Sequence, residues 1–164
     1  MNNQRTIIPG AGVQPDVAKQ RATADWLNDL ITTNRGIVKV YQTAAERLEN
    51  ESSTNLLRDY VEQHESFIVE LSNLVVKRGH EPATSTSGSN LVKQAWFTLK
   101  ASITDGDGPI LAEAAKDARN VLDAYEEKTG AGLSDDEQKV IEEQMNELRQ
   151  NHEELSALSS TANS

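Results

Sequence analysis

The chain is acidic and lacks cysteine: its 164 residues include 26 Asp and Glu against 16 Lys and Arg, giving a net charge of −10. Without cysteine, disulfides, thiolate metal sites and cysteine nucleophiles are excluded. The basic residues are scattered among acidic ones, which argues against binding nucleic acid or an acidic membrane surface. There is no secretory signal and no apolar run of about 20 residues, so the cytoplasm is the expected location.

The chain starts with little apolar pattern, and residues 1–22 are predicted to form a flexible tail. The first long helix is predicted from Thr23 to Glu49, because inward-facing residues recur there at spacings of four and three, which places them on one helix face. This stripe consists of Leu27, Ile31, Asn34, Val38, Tyr41, Ala45 and Leu48.

A second helix is predicted from Ser53 to Arg78, with Ser52 or Ser53 as its cap. Its end is well marked. Arg78 suits the negative end of a helix, Gly79 suits a left-handed C-cap, and Pro82 forbids continuation. The stripe of this helix consists of Leu57, Tyr60, His64, Phe67, Leu71 and Leu74.

Residues 80–108 are predicted to be a long connection with a short helix over 90–103. Two more long helices are predicted, over 109–128 and 135–158. The first of them has Asp107 or Gly108 as its predicted cap and Pro109 at its first position. The second begins with a capping box formed by Ser134 and Glu137.

Connection lengths indicate the fold class. Short links join the first two and the last two long helices, so each pair should form an antiparallel hairpin, and a long crossover between hairpins is the ferritin-like arrangement. The sequence therefore predicts an all-α, ferritin-like four-helix bundle over residues 23–158, with a short fifth helix in the crossover. Residues 159–164 are predicted to be a disordered tail.

Four groups of residues carry a resemblance to a known family: LNDLITTN at 27–34 with Tyr41 and Ala44-Ala45-Glu46; Gly79-His80-Glu81-Pro82; Ala95-Trp96 and Leu99-Lys100, followed by the Asp-Gly turn and Ile110-Leu111-Ala112-Glu113; and Ala124-Tyr125-Glu126. Over residues 24–158 the chain resembles a bacterial family of uncharacterised four-helix-bundle proteins, a domain-of-unknown-function family in the ferritin-like superfamily. The resemblance implies the fold and implies no activity.

Polar residues on the inward stripes have two interpretations. In the first, Asn34, Tyr41, Tyr60, His64 and Gln144 form a buried polar layer. Because an unpartnered buried polar group is costly, the members of such a layer should hydrogen-bond one another and fix the register of the helices.

The second interpretation is a metal site. A di-iron bundle uses Glu from two helices and Glu-x-x-His from the other two, but the residues three before His64 and His152 are Val61 and Arg149. No metal or other cofactor is therefore expected. The candidates for an altered site, with one or two metal ions, are His64, Asp117 and His152, and His152 can also be a solvated side chain at the rim.

Asp105 and Asp107, each followed by glycine, resemble the start of a calcium loop, but Lys116 stands where the bidentate Glu is required, which favours a capping turn. No Ser-His-Asp arrangement, phosphate loop or zinc spacing is present. These features predict a non-enzymatic bundle with a role in stress physiology or protein interaction, associating with itself as a homodimer or larger oligomer. The alternative is an iron-, manganese- or zinc-binding ferritin-like protein with a non-standard site near His64.

Overall fold

The computed structural model describes residues 15–85, 106–127 and 132–163, which form four α-helices and no strand. Their bounds are Pro15–Ala45 (α1), Glu51–Lys77 (α2), Asp107–Glu126 (α3) and Asp135–Ala162 (α4). The prediction of an all-helical chain with four long helices is confirmed for these residues. The predicted short helix over 90–103 lies outside them.

Contacts between α1 and α3 show that these two helices run in opposite directions. The indole N–H of Trp26 donates to the carbonyl of Ala124 at 3.4 Å, near the start of α1 and the end of α3. At the other end, the backbone N–H groups of Glu49 and Asn50 donate to the Asp107 carboxylate, both at 2.8 Å. α3 therefore begins beside the end of α1.

The helices α2 and α4 are antiparallel as well. Tyr60 donates to Glu154 at 2.6 Å, whereas Arg78, just past the end of α2, binds Glu137 at the start of α4. The four helices thus run up, down, down and up. Because α2 ends near the start of α1 and α3 begins near its end, the connection between α2 and α3 joins opposite ends of the bundle.

Aliphatic side chains and two tyrosines fill the centre of the bundle. Within each hairpin the two helices pack along their length, and α1 also packs against α3. The contact between α2 and α4 is the sparsest of the four helix pairs that touch. The largest fully buried side chains are Tyr41, Tyr125, Leu27, Leu30, Ile31, Leu57, Leu71, Leu111, Leu122, Ile141 and Leu148.

The first helix is longer at its start than predicted. It begins at Pro15, so residues 15–22 belong to α1 and not to a tail, and it ends at Ala45 instead of Glu49. Residues 16–22 are exposed, so this part of the helix has no buried apolar stripe from which it could have been predicted. Their helical signals are local: proline at the first position and Asp16 in the first turn.

The start of α2 was predicted with the wrong cap. Asn50 is the N-cap, and its side-chain oxygen accepts from the backbone N–H of Ser53 at 3.0 Å, so neither Ser52 nor Ser53 caps the helix. The predicted end is close to the observed one, since α2 stops at Lys77 and Gly79 has a left-handed φ of 77°.

The predicted capping box of α4 is confirmed. The Ser134 side chain accepts from the Glu137 backbone, and the Glu137 side chain accepts from the Ser134 backbone. The same helix corrects the prediction of a disordered tail over residues 159–164, because it continues to Ala162 and buries Ser159.

The start of α3 also differs from the prediction. Gly106, at a φ of 97°, is the N-cap, and Asp107 is the first helical residue. Neither Asp107 nor Gly108 caps the helix, because the Asp107 carboxylate is directed to the backbone of the turn between α1 and α2. The Asp-Gly segment is therefore a joint between the two hairpins.

Candidate functional site

A chain of hydrogen bonds crosses the middle of the bundle and includes side chains from all four helices. The His64 Nδ1 lies 2.6 Å from the Asn34 oxygen, and the Asn34 amide donates to the Tyr125 hydroxyl at 2.8 Å. Tyr125 donates to the oxygen of Gln144 at 2.8 Å, and the Gln144 amide donates to Glu70 at 2.7 Å. We call these five residues the central network.

The central network has a single direction. Each member donates toward the next, and the last acceptor is the carboxylate of Glu70, an exposed residue. Since the Asn34 oxygen can only accept, the His64 Nδ1 must carry a proton and the Nε2 is a bare lone pair. Full burial lowers the pKa of His64 to about 3, so its ring is neutral at physiological pH.

Three buried polar atoms near this network have no hydrogen-bond partner among the described residues: the Tyr41 hydroxyl, the His64 Nε2 and the Asp117 Oδ2. Burial, with a smaller contribution from Glu113, raises the pKa of Asp117 to about 7. Burial also raises the pKa of Tyr41 far above its ordinary value, and the charge of Asp117 adds to this. Tyr41 is therefore a neutral phenol.

The third metal candidate, His152, lies apart from this place. Its Nδ1 donates to the backbone carbonyl of Ala115 at 3.0 Å, and the side chain is half-buried. Among the described residues, no three His, Asp or Glu side chains gather closely enough to hold a metal ion. The structure therefore does not assemble His64, Asp117 and His152 into one metal site.

Several hydrogen bonds between polar side chains join α2 and α4. Asn151 donates to Gln63 at 2.5 Å, and Gln63 in turn donates to Glu147. Tyr60 donates to Glu154, at the outer edge of the same contact. Side-chain amides, carboxylates and the Tyr60 hydroxyl thus join the two hairpins between α2 and α4.

The strongest ion pair in the described part of the chain joins the hairpins at their other end. Arg78 donates twice to Glu137, at 2.8 and 2.5 Å, and also to the Gly132 carbonyl and the Gln20 side chain. The Arg78 and Glu137 side chains are 8% and 11% exposed. Hydrogen bonds and charge from Arg78 lower the pKa of Glu137 despite its burial. The Arg78 side chain therefore stabilises the start of α4, whereas the sequence had suggested an interaction with the negative end of its own helix.

The structure buries all five residues of the predicted polar layer, but only Asn34, His64 and Gln144 belong to the central network. Tyr41 has no hydrogen-bond partner in the described part of the chain, and Tyr60 turns to Glu154. Two members were missed. Tyr125 was named for the family resemblance and not as a member of the layer, and Glu70 lies on the exposed side of α2, where periodicity gives no signal.

Described residues line two surface grooves. One, of about 490 Å³, lies at the bundle end where α2 and α3 begin and α4 ends. The other, of about 430 Å³, lies on the outer face of the first hairpin. None of the described residues that line these two grooves is a histidine. None of the four described helices has an apolar stretch that could cross a lipid bilayer.

The fold and its polar centre define a class: an all-α four-helix bundle with a hydrogen-bond network of polar side chains in its core. The family model for the domain of unknown function DUF2383 matches residues 22–129, more than half of the chain. The chain therefore belongs to the DUF2383 family. The matched residues contain α1 from residue 22, α2 and α3, whereas α4 follows them. No curated protein and no solved structure matches the chain.

Proposed function

We propose that the chain is a ferritin-like bundle of bacterial origin that is not an enzyme and acts in the cytoplasm through contacts with other proteins, including a second copy of itself. The observation that carries this is the central network. Polar side chains from all four helices meet in the core and are bonded to one another, whereas a di-metal bundle directs carboxylates and histidines to a metal there. They serve to fix helix register.

The up, down, down and up order supports the ferritin-like assignment, because it places a long connection between two antiparallel hairpins. A role in stress physiology is part of the proposal. Comparing growth of a deletion strain and its parent under oxidative, osmotic and starvation stress tests that role.

An uncharged stripe on α2 is the surface we propose for self-association. It consists of Ser66, Val69, Asn73 and Val76, which follow a spacing of three and four on one helix face and are all exposed. Val69 and Val76 are 60% and 58% exposed. In a chain of net charge −10, two copies meeting on an uncharged surface avoid like-charge repulsion.

Light scattering with size-exclusion chromatography tests this interface. The full chain should elute as a dimer or larger, and Val69→Glu with Val76→Glu should convert it to a monomer by placing like charges opposite each other. Val17→Glu is the matched control, because Val17 is 58% exposed but lies outside the stripe. A wild-type monomer at high concentration, or an oligomer unaffected by the double change, would contradict the proposed interface.

A further inference from the structure

Three buried polar atoms lie on three different helices: the Tyr41 hydroxyl on α1, the His64 Nε2 on α2 and the Asp117 Oδ2 on α3. Their residues are 0%, 0% and 4% exposed, and none of the three atoms has a hydrogen-bond partner among the described residues. Leaving a polar atom buried and unbonded costs about 1–3 kcal/mol. Three such atoms from three helices indicate that something satisfies them together.

The Tyr41 and His64 side chains are in contact. The rings of Tyr41 and His64 meet edge to face, with centroids 5.6 Å apart. The Nδ1 of His64 is bonded to Asn34, which lies two helical turns before Tyr41 on the same stripe, so the Nε2 is the ring nitrogen that remains without a partner among the described residues.

Asp117 approaches the same place from α3. Contacts of Trp26 with Ala124 and of Asn50 with Asp107 fix the antiparallel register of α1 and α3. This register places Asp117 level with the part of α1 between Asn34 and Tyr41. The charge of Asp117 is felt at the Tyr41 hydroxyl, although the two groups are not hydrogen-bonded.

The hydrogen-bonding properties of the three atoms match those of one small ligand, a water molecule. The His64 Nε2 is an acceptor, because the ring proton is on Nδ1, and the Asp117 Oδ2 is a second acceptor in the ionised form of its carboxyl group. The Tyr41 hydroxyl is a donor. A water molecule gives two hydrogens and accepts one, and buried waters typically make about three hydrogen bonds. We propose that a single buried water is bound between Tyr41, His64 and Asp117.

A metal ion matches the same atoms less well. Only the His64 Nε2 and an Asp117 carboxylate could bind it without loss of a proton, because a tyrosine ligand must first be deprotonated. With the water in place, hydrogen bonds extend from Glu70 through the central network to His64 and on to Asp117. At this site a water molecule then connects α1, α2 and α3 by hydrogen bonds.

A high-resolution crystal structure of the full chain, with anomalous data at the iron, manganese and zinc edges, tests the proposal. The expected result is one density peak within hydrogen-bonding distance of all three atoms and without anomalous signal. In Tyr41→Phe the peak should be lost or keep only two partners. Tyr60→Phe is the matched control, because the Tyr60 hydroxyl is bonded to Glu154, and there the peak should be unchanged.

Solution NMR gives a second measurement that needs no variant. Cross-relaxation between the His64 ring protons and a long-lived water is expected in the wild-type chain. An anomalous peak at this site would contradict the proposal, because it would show that a metal ion is bound there instead of a water. Absence of both density and cross-relaxation, or a direct hydrogen bond among the three side chains, would overturn the proposal.

Discussion

Tyr125 connects the two halves of the central network. Its hydroxyl accepts from Asn34 of α1 and donates to Gln144 of α4, so it ties the two hairpins together inside the core. Periodicity predicts that Tyr125 is buried but gives no information about the partner of its hydroxyl. Asn34 and His64 were easier to predict, because strongly polar side chains on an apolar stripe must find partners nearby.

Replacing Tyr125 by phenylalanine should destabilise the fold. The change keeps the ring but removes the hydroxyl, so the buried Gln144 oxygen loses its donor, and we expect a loss of about 1–3 kcal/mol in the free energy of unfolding. Tyr60→Phe is the control, with a loss of about 1 kcal/mol or less, because exposed Glu154 regains water. Urea unfolding measures both. Equal losses would contradict the role assigned to the network.

His64 and Asp117 should give opposite pH dependences. The pKa of His64 is lowered in the folded chain to about 3, so the unfolded chain binds the proton first and stability falls as pH drops below about 6.5. The pKa of Asp117 is raised to about 7, so the folded chain binds that proton first and stability rises as pH drops from about 7 to about 4. The two effects oppose each other between about pH 4 and 6.5.

Asp117→Asn should therefore expose the acid sensitivity caused by His64. Between pH 6.5 and 5 the variant should lose up to about 1.4 kcal/mol of unfolding free energy per pH unit relative to the wild type. Urea unfolding at several pH values measures the slope, and a variant that also carries His64→Gln should lose it. Parallel curves for Asp117→Asn and the wild type would show that the two groups do not titrate as assigned.

The ends of the helices follow local chemistry, and this explains which boundaries the sequence predicts well. Ser134 with Glu137 is a complete capping signal and predicts the start of α4 correctly. The start of α1 is missed because its first residues are exposed and lack apolar periodicity. The role of Arg78 could not be predicted either, because Glu137 lies far from it in sequence and meets it only when the hairpins pack.

Arg78→Met should be among the most destabilising single changes in the described part of the chain. It leaves the nearly buried Glu137 carboxylate without its cation, which costs about 3 kcal/mol or more when a buried pair is broken. Arg119→Met is the control, with about 0.5 kcal/mol, because Arg119 is 46% exposed and pairs with exposed carboxylates. Thermal and urea unfolding compare them, and similar small losses would contradict the account.

For the whole molecule, the pairing of the helices into hairpins could be predicted from the sequence. Whether the polar centre binds a ligand or is bonded to itself could not be predicted. Loop lengths identify which helices are neighbours, because a link of a few residues allows no other arrangement. Whether inward polar residues bind one another or a ligand depends on side-chain geometry across four helices. The same stripe positions serve a metal in one bundle and a hydrogen-bond network in another.

Metal analysis of the full chain, purified without chelator, shows whether the polar centre of the bundle is structural or binds a metal. If the central network is structural, the protein should contain less than about a tenth of an iron, manganese or zinc ion per chain. His64→Ala should then change stability and leave metal content unchanged. Close to one or more ions per wild-type chain, lost in His64→Ala, would contradict the account.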